Sequence, residues 1–276
     1  MMFAADIAEL IACLRDYAAG PVDWDQHTGD RPKDWNRHET LAHLVSVAVV
    51  FNRAAEAARD GSPLVIEGIT RREDLRAWNT TQIAHFVQDA PSALLDRLEA
   101  ELRRSATLHD TMPPEAHDRT AFLRIYNHPA RAIDFLDWQL SHAAAVHAAQ
   151  ITRPALPLWQ SFSEGLIARN VDRFMRHFRV AYWPEYGGGE HVALDFAVNS
   201  VGTWHLTAAP SGGGGGKGPH PHADHRLVFA RPEVLFAVFT RHTLLPDALR
   251  GGDLTITGDA RTALDVLSRF TPAPPR

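Results

Sequence analysis

The sequence predicts two domains: an all-α up-down helical bundle at the N-terminus and an α+β domain at the C-terminus. Three observations carry this. The length of 276 residues suits two domains of roughly 100–200 residues each. Apolar residues recur at helical period through the first half. After "TRPALPLW" the pattern turns to β-rich runs broken by Gly and Pro. These changes set the boundaries at 1–153 for the bundle and 158–271 for the second domain.

Phe3, Ile7, Leu10, Leu14 and Tyr17 share one helix face, and "GPVDW" ends that helix. A second helix is predicted from about Arg37 to Arg59. Leu41, Leu44, Ala48 and Phe51 mark one side, and Val49 and Val50 lie off it, so much of this helix is expected to be buried. "RREDLRAWNTTQIAHFV" reads as a third helix. "DAPSALLDRLEAELRRSATL" reads as a fourth, with Pro91 in its first turn and Leu94, Leu95, Leu98 and Leu102 along one side. The last helix of the bundle starts near Pro129 and ends before Pro154. In the second half, "VALDFAVNSVGTWHLTA" and "HRLVFA" read as strands and "GGGGGKGPHPH" as a flexible loop. "PEVLFAVFTRH" reads as a short helix, and "GDLTITGD" as a strand leading into the helix "ARTALDVLSRF".

Composition excludes several classes. The formal charge is −5 and no Lys/Arg stripe appears, which argues against nucleic acid as a partner. No apolar run approaches the roughly 20 residues of a membrane helix, so no membrane association is expected. The single cysteine, Cys13, reads as a small core residue and suggests a reducing compartment. The N-terminus lacks a basic signal-peptide region. A cytoplasmic location is expected. There is no G-x-S-x-G, H-E-x-x-H or C-x-x-C, so nucleophilic catalysis through Ser or Cys has no support.

Sixteen histidines raise the question of metal. His43 lies among apolar neighbours in the second helix. Its bland reading is a hydrogen-bonded core residue. His147 lies within about 40° of Ile133, Leu136, Leu140, Ala143 and Ile151 on a helical wheel, so it points into the bundle, where an imidazole needs a partner. His142 lies about 140° from His147 in a regular α-helix. The two could then share an ion only if a one-residue π-bulge brought them together. His220, His222 and His225 sit in the glycine-rich stretch, where ordering costs entropy and adventitious metal binding is the plainer reading.

"DWNRHETLAHL" resembles the Trp-x(n)-aHL element of DinB-like helical bundles, and "LSHAAAVHAAQI" resembles the H-x-x-QI end of their last helix. "PEVLFAVFTRHTLLPDALRGGDLTITGDARTALDVLSRF" is similar to the end of SCP2-like domains, with its G-x-L-x-I-x-GD step. A DinB-like bundle followed by an SCP2-like domain resembles the mycothiol-dependent maleylpyruvate isomerase family. The resemblance covers most of the chain, through short motifs.

The resemblance implies a divalent ion, typically zinc, held by His43 and by a pair four residues apart on the last helix. His147 matches the second of that pair, and the first falls on Ala143, which cannot coordinate. Four outcomes stay open: a weak two-ligand site, rescue by a bulge at His142, completion from another helix (His85), or loss of the site. An intact site would lower the pKa of a low-molecular-weight thiol such as mycothiol. Its thiolate would add to a cis double bond, and rotation and elimination would give the trans isomer. The resemblance also implies a substrate-binding Arg in the second domain, aligned here with Arg241. The reading is therefore a metal-dependent, thiol-utilising isomerase or transferase acting on a small molecule, with metal ligands His43, His147 and His142. A non-catalytic protein that binds a small apolar ligand is the rival. Helical bundles of this kind pair readily, so monomer and homodimer both stay open.

Overall fold

The structure, a computed structural model, describes residues 2–29, 34–124, 129–153, 157–178, 182, 189, 191–239 and 243–270. A helical N-terminal unit is followed by a mixed-sheet unit, with the boundary between Leu166 and Ile167.

The first unit contains α1 (Met2–Ala18), α2 (Arg37–Asp60), α3 (Leu75–Phe86) and α4 (Pro91–Thr111). After them come a two-stranded ribbon, β1 (Thr120–Ala121) and β2 (Ala130–Arg131), and a last helix. That helix runs as α5 (Ala132–Ser141), a π-helical segment His142–His147 and α6 (Ala148–Ile151). Helix α2 is central and packs against α3, α4 and α5. It starts at a capping box, with Asn36 Oδ1 accepting from the Glu39 N–H at 2.7 Å and Glu39 Oε2 accepting from the Asn36 N–H at 2.9 Å. Such a cap is worth about 1 kcal/mol. Gly61, at φ 66, closes the helix in the left-handed conformation. α2 is long and apolar enough to cross a membrane by length and composition, a correction to the expectation that no such run exists. However, 78% of its apolar window is buried within the protein, which makes it a core helix.

Buried polar groups tie three helices together. Asn52 Nδ2 of α2 donates to the Glu101 carbonyl of α4 at 2.9 Å. Ser105 Oγ of α4 lies 2.8 Å from Asn52 Oδ1 and 2.9 Å from Gln139 Oε1 of α5. Hydrogen bonds inside a core admit few alternative registers. They hold α5 against α2 one turn before His142.

The second unit begins on α7 (Glu164–Phe178). This amphipathic helix, absent from the sequence reading, buries Leu166, Val171, Met175 and Phe178. Strands β3 (Val192–Val198), β4 (Gly202–Ala209), β5 (Gly212–Lys217), β6 (His225–Phe229) and β7 (Leu254–Thr257) form one sheet in the order β5-β4-β3-β6-β7. Only the β3–β6 pair is parallel. β3 is central and buried at all its positions, so its residues are apolar on both faces except Asp195, which accepts from the His220 N–H. Helices α8 (Pro232–Phe239), α9 (Leu245–Arg250) and α10 (Ala260–Ser268) complete the unit.

The glycine tract is a correction. Gly212–Gly216 is an edge strand, not a flexible loop, with its backbone paired along β4. His205 and Thr207 of β4 reach across it. A Cβ at Gly214 would lie 2.6 Å from Thr207 Oγ1, and one at Gly216 would lie 3.1 Å from the His205 ring. The missing side chains leave room for these neighbours, as glycine in a strand often does.

The G-D step has a plain physical cause. Gly258, at φ +92, turns the chain out of β7, and a Cβ there would lie 2.8 Å from the Asp224 carbonyl oxygen. Asp259 then caps α10, its carboxylate accepting from the Arg261 and Thr262 N–H groups.

Candidate metal centre

His43, on α2, is buried because its helix face packs toward the last helix. His147 is buried at 7% exposure, as its place on the apolar stripe predicts. His142 is partly buried. In a regular α-helix His142 and His147 would diverge. Here the backbone between them is a π-turn, and the Ala148 N–H donates to the Ala143 carbonyl five residues back. That wider turn brings residue i+5 back beneath residue i. His142 Nε2 and His147 Nε2 lie 3.0 Å apart. One ring nitrogen from each of His43, His142 and His147 falls within 4.8 Å of the other two.

Of the alternatives left open by the sequence, the structure has the bulge at His142. His85 is exposed on α3 and is not part of the group. Among the described residues these three histidines are the one such grouping. His220 and His222 have ring centroids 6.4 Å apart, and His225 Nδ1 accepts from the Asp259 N–H. Arg241 lies outside the described residues.

Two further residues shape the centre. Gln150, one turn beyond His147, places Oε1 2.7 Å from His147 Nδ1. A glutamine oxygen only accepts, so Nδ1 carries the proton and Nε2 keeps its lone pair. The signal lay in the H-x-x-Q spacing, since residues three apart share a helix side. Trp35, just before α2, has its ring centroid 4.5 Å from that of His43 and 6.3 Å from that of His147. The sequence marks Trp35 as the Trp of the Trp-x(n)-aHL element it resembles, without placing it beside the histidines.

Burial holds His43 well below the ordinary imidazole range, and nearby His147 adds to this. Burial lowers His147 to about 4, against a smaller upward effect from its bond to Gln150. Both rings are therefore neutral at pH 7 and present lone pairs. His43 Nδ1 is buried with no hydrogen-bond partner among the described residues, a position that normally costs about 1–3 kcal/mol.

These residues fit a divalent ion. Three imidazoles, two of them held neutral by burial, form a donor set suited to catalytic zinc, which keeps a fourth position open. Tetrahedral zinc with Zn–N bonds of about 2.05 Å holds its nitrogens about 3.3 Å apart. The 3.0 Å pair and the 4.8 Å limit bracket that spacing.

Cys13 is partly buried, with Sγ 3.7 Å from the Ser161 carbonyl oxygen. Burial, Glu9 and Asp16 raise its thiol pKa, so it is not an activated nucleophile.

Fold and donor set together define a helical-bundle protein with a largely buried three-histidine cluster and an appended mixed-sheet unit. Among solved structures the chain is similar to the crystal structure of the mycothiol-dependent maleylpyruvate isomerase. The match has 14% identity and a TM-score of 0.54, and covers 92% of this chain and 90% of that one. A histidine-to-alanine mutant of that isomerase matches with 12% identity, the same TM-score of 0.54 and the same coverages of 92% and 90%. No protein-family model matches the chain, and no curated protein does. At this identity the likeness establishes the fold: a helical unit followed by a mixed-sheet unit, as in maleylpyruvate isomerase.

Proposed function

We propose that this chain is a divalent-metal-dependent, thiol-utilising enzyme, an isomerase or S-transferase acting on a small molecule, with His43, His142 and His147 as its metal ligands. The observation that carries the reading is the π-turn. A wide turn with the two histidines at its ends joins them to a third, buried histidine whose Nδ1 has no hydrogen-bond partner among the described residues. π-bulges inside α-helices occur frequently at functional sites.

Zinc bound there would lower the pKa of a coordinated thiol and supply a thiolate at neutral pH. The protein's own residues have three tasks. Gln150 fixes the tautomer of His147, so that Nε2 faces the cluster. Burial keeps His43 and His147 unprotonated, so protons do not compete for their lone pairs. The thiol must come from outside, because Cys13 is held protonated. Mycothiol is the candidate thiol because of the fold's likeness to the mycothiol-dependent isomerase. Arg241 is proposed to bind an acidic substrate, on its sequence position alone.

The rival is a non-catalytic protein with an apolar ligand in the second unit. A cleft of about 320 Å³ in the second unit is lined by Asp172, Met175, Arg176, Trp204, Gly215, Gly216 and Lys217, a wall rich in charge.

The test is turnover. Zinc-loaded protein is mixed with mycothiol and maleylpyruvate, and cis-to-trans conversion is followed by absorbance. Transfer of the thiol to an electrophile is followed in parallel. Activity that needs both metal and thiol is expected. If neither reaction exceeds the rate with His147→Ala protein, the enzyme reading fails.

A further inference from the structure

We propose that Trp35 is the wall of the open coordination position and selects a polarisable sulfur donor over a hydrated oxygen donor. The inference rests on the metal-centre reading above and deepens it.

Trp35 is half-buried, and its ring approaches two of the three histidines at interplanar angles of 42° and 33°. Its backbone is pinned. The Thr28 N–H and Oγ1 both donate to the Trp35 carbonyl, each at 2.8 Å. The segment before α2 is held from two sides. The Arg37 guanidinium donates to the Asp23 carbonyl at 2.9 Å and to the Arg153 carbonyl beyond α6. Arg153 Nη1 reaches back to the Thr28 carbonyl at 3.4 Å. Asn36, the next residue, is fixed in the capping box. The backbone that carries the indole is therefore held, and the ring lies beside His43, with its centroid 4.5 Å away, and nearer to it than to His147 at 6.3 Å.

An indole beside the ligands discriminates between donors. Carboxylate and water oxygens bring strongly held hydration, which an apolar ring face displaces without replacement. Sulfur is weakly hydrated and polarisable, and it gains from an aromatic neighbour by an amount equal to a two- to tenfold change in affinity.

The test uses cobalt(II) as a spectroscopic stand-in for zinc, with 2-mercaptoethanol and acetate as probes. Both are titrated into cobalt-loaded wild type, Trp35→Ala, Trp35→Phe and Trp35→Leu. The sulfur-to-cobalt and ligand-field bands give each Kd. All four proteins are expected to bind one cobalt. The Kd for the thiol should rise about three- to tenfold in the Ala and Leu variants while that for acetate does not rise, and Phe should restore the thiol to within about twofold. If Trp35→Ala fails to fold, Trp35→Leu makes the same comparison. An unchanged thiol-to-acetate ratio in cobalt-loaded variants overturns the inference and leaves the metal centre standing. Loss of cobalt from the Ala and Leu variants also overturns it, since Trp35 would then only support the ligands. If wild type binds no cobalt, the metal-centre reading itself fails.

Discussion

Lowering the pH of metal-free protein should destabilise it through His147 well before the exposed carboxylates titrate. Burial holds His147 at about 4 in the folded chain, against an ordinary value of 6.5. The folded value is depressed, so the unfolded chain binds more protons between those limits. The stabilisation is complete above pH 6.5 and is lost as pH falls toward 4. With 1.36 kcal/mol per unit, the loss is about 2 kcal/mol by pH 5 and about 3 kcal/mol by pH 4. His43 is shifted the same way and adds to it. The assay is urea unfolding in the presence of a chelator at pH 7, 6 and 5, for wild type and His147→Gln. The variant carries no titrating group at this position, so its stability should fall about 2 kcal/mol less than wild type between pH 7 and 5. Equal losses in the two proteins would refute the claim that this imidazole is buried and neutral.

Other predictions follow from the same geometry. Gln150→Leu removes the acceptor at His147 Nδ1 and should weaken zinc affinity about 10- to 100-fold, read by competition with a chromophoric chelator; unchanged affinity would remove Gln150 from the centre. Deleting Ala144 puts the two histidines at the i, i+4 spacing of a regular α-helix, so the protein should keep its metal without the wide turn. Loss of metal from a folded deletion protein would contradict the role given to the π-segment. Gly258→Ala forces a positive φ and a contact with the Asp224 carbonyl, and should cost about 1–3 kcal/mol by thermal denaturation. An unchanged midpoint would contradict the account of the G-D step.

How legible all this was in the sequence depended on how local the determining physics is. Helices α1, α2 and α4 were readable because their leucines, alanines and phenylalanines repeat at the period that buries one face. The capping box at Asn36–Glu39 was also present as a spacing, though its role emerged only with the geometry. The glycine strand was not readable. Its pairing is decided by β4, whose His205 and Thr207 exclude side chains across the ladder, while glycine content alone suggests a loop. The π-turn lay between these cases. A fixed 100° step sends His142 away from His147, and no local spacing in the sequence marks the wider turn that the chain adopts there. Trp35 was marked by the bundle motif it resembles and not by any period, because it precedes α2, so its place beside His43 came only with the structure.

The central claim is that His43, His142 and His147 hold one divalent ion. The most direct measurement is metal content by mass spectrometry on tag-free protein, wild type beside His43→Ala, His142→Ala and His147→Ala. The account predicts close to one equivalent of zinc or another divalent metal in wild type and a large loss in each variant. Wild-type protein that holds no metal even after incubation with zinc, or a His142→Ala variant that retains a full equivalent, would contradict it.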